Sequence, residues 1–399
     1  MTCPTKSSML LVAGLAIAAA VTSTAQTQAR PGDKAPARLK TPRLAPVADA
    51  QLTDAQRQTA AKYARSGNGF RTLLNLPQAV DAAMPMAAYL TNDSTLMPRH
   101  RAILILRTAW LAQSDPLWGE YAAQAMKWGM TAQEIHRIAE GALAQAWPPS
   151  ERVLMRLADE LFRNSSVTDQ TWKELADAHD VLYLVDAVET VNNFTFLSLL
   201  YNAFGVQPDA GAARLPADVA YRLTVPEREP PLRAARIDPV PGTEIAVSRT
   251  FARHPKLNQA RTPRANFVNR VSPLSPRHRE MLILRTGWDC QSEYEWAQHV
   301  GRVGRAREHG LDPVKIAQGP AASGWDPFES TILRAADELY RDTGLSDATW
   351  QALSVKYDTA SMIAAVFSAS SYRATSMSLN AYGVQLEPGD ERFPSVASR

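Results

Sequence analysis

In the segment SEYEWAQH (292–299), Ser292, Glu295 and His299 are spaced i, i+3 and i+7. On a helix these three share one face. A carboxylate and an imidazole four residues apart can pass a proton, and a second carboxylate can orient the ring and raise its basicity. Glu280, on the preceding predicted helix, is the candidate for that second carboxylate. Arg285 offers a cation for an anionic substrate group, Ser292 a hydroxyl and Trp296 an apolar wall, while Cys290 is a possible redox thiol. The set suits acid/base chemistry on a small organic molecule. The alternatives are plain: Glu295 and His299 can be a surface pair worth a few tenths of a kcal/mol, and Arg285 can pair inside the bundle with Glu338, as Arg107 can with Glu160. The other histidines (100, 136, 179, 254, 278, 309) show no H-x-x-x-H or H-E-x-x-H spacing, which gives a catalytic metal no support.

These residues sit in one half of a tandem repeat. PRHRAILILRTAWL (98–111) recurs as PRHREMLILRTGWD (276–289) at an offset of 178, with 10 of 14 positions identical. WPPSERVLMRLADELFR (147–163) recurs as WDPFESTILRAADELYR (325–341), and YNAFGVQ (201–207) as LNAYGVQ (379–385). In the first copy Ser114, Leu117, Tyr121 and Ala102 replace Ser292, Glu295, His299 and Glu280, so the frame is kept and the ionisable set is lost. Most tryptophans recur between copies as core residues would, leaving Trp118 and Trp296 as the pair that could line a pocket.

Helical periodicity positions the set. Ile103, Leu106, Ala109 and Trp110 define one helix over 99–113. Asp115-Pro116 opens a second, ending near Gly129. Thr131 with Glu134 forms a capping box for a third. Helices follow from Pro149, from Thr168 or Asp169, and from Val181 to Phe204, stopped by Gly205. No segment alternates with period two between hairpin turns. The expectation is an all-α fold with about six or seven helices per copy. The predicted divisions are 1–25 signal peptide, 26–65 Pro/Ala-rich leader, 66–209 first copy, 210–245 Pro-rich linker, 246–388 second copy and 389–399 tail. The leader is expected to hold little fixed structure, and the linker to be an extended, stiff spacer.

Composition bounds the function. The 399 residues, 45% hydrophobic, are ample for a core, and 43 basic against 40 acidic residues give no case for nucleic-acid binding. Lys6 precedes an apolar run from Met9 to Val21, with small residues before Ala25 and Ala29 as cleavage points. This is the pattern of an export signal, too short at 13 residues for the roughly 20 that span a bilayer. A periplasmic or secreted protein with no membrane insertion after cleavage is expected. Loss of Cys3 leaves Cys290 without a partner for an internal disulfide.

Together, RHREMLILRTGW (277–288), EYEWAQH (293–299), WDPFE (325–329), AADEL (335–339) and NAYGVQ (380–385) resemble the carboxymuconolactone decarboxylase-like family. Its all-α fold is shared with the alkylhydroperoxidase AhpD-like proteins. The resemblance covers both copies. It implies a tandem pair of such bundles and two possible chemistries. The peroxidase branch carries C-x-x-C followed by histidine, with a relay glutamate on the preceding helix. Glu280 and His299 match the relay, but the two cysteine positions hold Ser292 and Glu295. Cys290 lies two residues before the first of them, turned about 200° away on a helix. A peroxiredoxin-type activity is therefore the weaker alternative. The decarboxylase branch opens or decarboxylates small lactones and acids with no metal or organic cofactor, which His299, Glu295 and Arg285 could serve. Family members assemble as trimers or hexamers, so a homo-oligomer, a trimer of fused pairs resembling a hexamer, is expected. A non-catalytic helical binding protein is the remaining alternative.

Overall fold

The computed structural model describes residue 1, residues 30–144 and residues 146–396; the predicted signal peptide with its cleavage points lies outside the described residues. The described chain is all-helical, with seventeen α-helices and no strand. The first copy holds α1 (Asp54–Tyr63), α2 (Asn68–Leu73), α3 (Pro77–Asn92), α4 (Pro98–Leu111), α5 (Asp115–Lys127), α6 (Ala132–Ile138), α7 (Pro149–Asn164), α8 (Asp169–Ala176) and α9 (Val181–Phe204). The second holds α10 (Ala246–Phe251), α11 (Pro255–Asn266), α12 (Pro276–Asp289), α13 (Glu293–Val300), α14 (Pro313–Gln318), α15 (Pro327–Asp342), α16 (Asp347–Ser354) and α17 (Thr359–Tyr382). Among the described residues no helix is long and apolar enough to cross a membrane.

The offset of 178 that relates the motifs also relates the starts of α2 to α10, α3 to α11, α4 to α12, α5 to α13 and α7–α9 to α15–α17. Local chemistry explains the boundaries. Thr131 and Glu134 make the expected capping box. Asp180 and Asp358 cap the two longest helices, which end at Gly205 and Gly383 in the left-handed conformation glycine tolerates. The helices at 54–92 and 246–266 raise the number per copy beyond expectation. Each copy has a proline inside a helix, Pro85 in α3 and Pro263 in α11, which masks the periodicity there.

The core is continuous across both copies. Helices α9 and α17 pack on each other at its centre and are buried almost all round. An all-round apolar helix needs neighbours on every side, and each copy supplies part of the other's cover. Polar contacts repeat reciprocally. Asn202 donates to Ala112 O and to Thr343 Oγ1 of the second copy; Asn380 donates to Cys290 O and to Ser165 O of the first. This exchange of equivalent contacts is the pattern of a twofold interface.

Two extended segments differ from expectation. Part of the leader, 30–50, is ordered: Arg43 N and Leu44 N donate to Phe204 O, capping the end of α9. The Arg43 guanidinium reaches Leu345 O and Asp347 in the second copy. The linker does the same in return. Arg236 N and Ile237 N donate to Tyr382 O, and the Arg236 guanidinium reaches Val167 O and Asp169 in the first copy. Proline-rich sequence here makes straps, because the free carbonyls at the helix ends need donors. Hydrogen bonds to charged groups contribute about 1.5–3 kcal/mol each. Arg43→Ala and Arg236→Ala are each expected to lower stability by about that amount in urea denaturation; a loss from only one of them would break the equivalence of the two straps.

Candidate functional site

Glu280, on α12, and Glu295 and His299, on α13, come together in a buried cluster, exposed by 1%, 5% and 2%. His299 Nδ1 lies 2.7 Å from Glu280 Oε2, and His299 Nε2 lies 3.0 Å from Glu295 Oε1. A carboxylate faces each ring nitrogen. Both nitrogens must then be donors, which only the imidazolium provides. Burial alone would depress the imidazole pKa, but the Glu280 and Glu295 carboxylates outweigh it and hold it at about 10. Burial likewise opposes the Glu280 charge, and His299 and Arg279 overcome it, so that carboxyl is lowered. Arg279 Nε stands 3.1 Å from the other Glu280 oxygen.

Two neighbours that the sequence reading did not pick out complete the cluster. The Tyr372 ring stands edge-on to His299 at 4.8 Å, and its hydroxyl donates to Asn269 Oδ1 at 2.9 Å. Asn269 sits in a single π-helical turn, Phe267–Val271, of the kind often found at functional sites. The signal was present in the repeat. Tyr372 and Asn269 correspond to Phe194 and Thr91, so polarity differs between copies here as it does at His299. In the first copy Tyr121 packs on Phe194 and its hydroxyl meets Thr91. The same frame there carries a phenol in place of the imidazolium.

Glycines shape the cover. Helix α5 runs to Lys127, whereas α13 stops at Val300 and the chain turns off at Gly301. Gly304 then lies over the cluster so closely that a Cβ there would come 2.1 Å from Glu280 Oε2 and 2.7 Å from His299 Nδ1. The loop is tied down by Arg302 to Asp390. Gly304→Ala therefore forces the loop off the ion pair.

The other predicted residues do not join this cluster. Arg285 points into its own bundle, bonded to Asp337 at 2.5 Å and to Ala317 O at 2.9 Å, and beside Asp289. Arg107 does the same with Asp159, not Glu160. Glu338 and Glu160 instead bind the starts of α16 and α8 through Ser346 and Thr168. With its donors taken, Arg285 is not placed to clamp a substrate. Ser292 is buried just before α13, its hydroxyl without a hydrogen-bond partner. Trp296 is fully buried and packs at a tilt against Trp288 and Phe393. Trp118 and Trp296 are themselves related by the 178 offset and both are core residues.

Cys290 is completely buried, and burial pushes its thiol up to about 11. A thiol in that state is neither a thiolate nor accessible, which removes the basis for a redox role. Cys290 is expected to stay unreactive toward a disulfide reagent in the native protein and to react fully in denaturant; fast native labelling would contradict this. Among the described residues no group of three or more His, Cys, Asp or Glu side chains is disposed to hold a metal ion.

Compared with known protein families, with curated proteins and with solved structures, the chain matches none.

Proposed function

We propose that the second copy is an acid/base site that works without metal or organic cofactor on a small lactone or organic acid, as a lyase or isomerase. The observation that carries this reading is the buried imidazolium held between two carboxylates. Burial of three ionisable groups is costly and serves no packing need that apolar residues would not meet better. The first copy, with Ala102, Leu117 and Tyr121 at these positions, illustrates that alternative. In the proposed scheme Glu295 exchanges the proton with substrate, His299 stores and supplies it through Nε2, and Glu280 balances the ring's charge. The resemblance to carboxymuconolactone decarboxylase-like proteins supports the substrate class, and the apolar run Met9–Val21 supports export to the periplasm or beyond. The same resemblance underlies a trimer of fused pairs as the proposed assembly.

The test is a panel of small lactones and unsaturated acids, with products followed by mass spectrometry. Glu295→Gln is expected to lower kcat by about 10²–10⁴-fold. Turnover should also fall as pH rises through about 10, where the imidazolium loses its proton. Turnover within twofold of wild type in His299→Gln would refute the assignment.

A further inference from the structure

The first copy has lost the ionisable set but contains a cleft of its own. Its volume is about 160 Å³, and its walls include Arg65, Phe70, Met84, Glu120, Tyr201 and Asp209. Its existence follows from small residues. Gly67 and Gly69 precede and open α2, and Pro116 opens α5. A Cβ on Gly69 would lie 2.3 Å from the Tyr201 ring, so glycine there lets the tyrosine lie against the backbone. In the second copy Ile245, Val247 and Tyr294 occupy the three positions. There the Tyr294 hydroxyl accepts from Val247 N and donates to Glu387, and Gln298 donates to Glu387 and Asp390. The second copy thus fills this place with side chains that bond one another, although Gln298 Oε1 has no partner among the described residues, whereas the first copy leaves it open.

The charged groups that line the cleft lean to one sign. Two carboxylates, Glu120 and Asp209, face one guanidinium, Arg65, which stands 3.1 Å from Glu120. Asp209 Oδ1 accepts from Asn68 N at 2.8 Å, and Oδ2 makes no hydrogen bond among the described residues. The Tyr201 hydroxyl, on a residue only 4% exposed, also makes none among the described residues although it lines the cleft. The Phe70 ring and Met84 form an apolar wall. Glu120 is surface-exposed, its side chain 41% accessible, and it pairs with the single Arg65 guanidinium while Asp209 lines the same cleft, so the lining keeps one negative charge without a counter-charge. A cavity of about 150 Å³ holds a benzene-sized molecule, which limits the occupant to a handful of heavy atoms.

We propose that this cleft is a binding site for a small protonated amine, its ammonium among Glu120, Asp209 and Tyr201 and its short carbon chain along Phe70 and Met84. An ammonium has three donors and no acceptor, which matches two carboxylates and a hydroxyl free to accept. The site is separate from the His299 cluster and does not depend on the activity proposed for it.

The experiment is calorimetric titration of the full chain with n-butylammonium, n-butyrate and n-butanol. The amine is expected to saturate at millimolar concentration or below, with the acid and the alcohol at least tenfold weaker. Glu120→Gln should weaken the amine by about tenfold or more, and Tyr201→Phe by a smaller factor. His299→Gln should leave its binding unchanged, and circular dichroism should confirm that each variant keeps its fold. Butyrate binding as tightly as the amine would make Arg65 the determinant and overturn the proposal. So would the absence of saturation by the amine, or equal affinity in both cleft variants.

Discussion

Replacing His299 by alanine is expected to destabilise the protein by about 3–5 kcal/mol near neutral pH, because it strands two buried carboxylates without their shared cation. The pH dependence carries the diagnosis. The imidazole pKa in the folded protein stands at about 10, above its ordinary 6.5. A raised pKa means stability that is fully present below 6.5 and is lost as pH rises through about 10. Glu280 runs the other way: its pKa is lowered from the ordinary 4.5, so its contribution is present above that value and is lost in stronger acid. The gap between wild type and His299→Ala should therefore be widest in mildly acidic to neutral solution and shrink toward pH 10. Urea denaturation of both proteins across that range measures it. A gap that stays constant or widens with pH would mean that the ring is neutral and the cluster is not an ion pair. His299→Gln, which keeps a donor for one carboxylate, should cost less than alanine.

How far this arrangement was legible in the sequence depends on which interactions wrote it. The i, i+3, i+7 spacing placed Glu295 and His299 on one short helix, and the repeat placed Glu280 one helix earlier. Both are local statements that leave open whether Glu280 faces the ring, and in the structure the three side chains meet. Arg285 was less legible, because periodicity says only that it faces inward. Asp337, rather than the adjacent Glu338, meets it because the turn of α15 presents Asp337 to α12 and leaves Glu338 to the start of α16. Tyr372 lies in a helix so thoroughly buried that no face marks it out. The straps escape a sequence reading for a related reason. Pro, Ala and scattered charge say that a segment will not be helical, but not that Arg43 and Arg236 will find exposed carbonyls on the opposite copy. The all-α class was readable throughout because it needs only capping residues and a 3.6 period.

A chain cut after the first copy, such as residues 30–215, is expected not to exist as a folded monomer. Separate bundles on a stiff linker would survive the cut, and the observed contacts argue against that outcome. Without the second copy, α9 loses α17 along its length, and α3 loses α11. Arg43 loses Leu345 O and Asp347, and Asn202 loses Thr343. Asp186, fully buried, keeps Tyr89 and Thr95 but loses His254 at 3.2 Å. The exposed α9 face would be far larger than a soluble monomer tolerates. Self-pairing is the available rescue. The first copy retains Val167 and Asp169, which already receive Arg236 from the other half of the chain. A second fragment's Arg43 occupies the matching strap position and can take that role. Light scattering after gel filtration should therefore report a dimer or aggregate, and any folded species should melt at a temperature that rises with concentration. A monomeric fragment with a cooperative, concentration-independent transition would show that each copy closes its own core, and that the reciprocal straps only fasten two domains already stable alone.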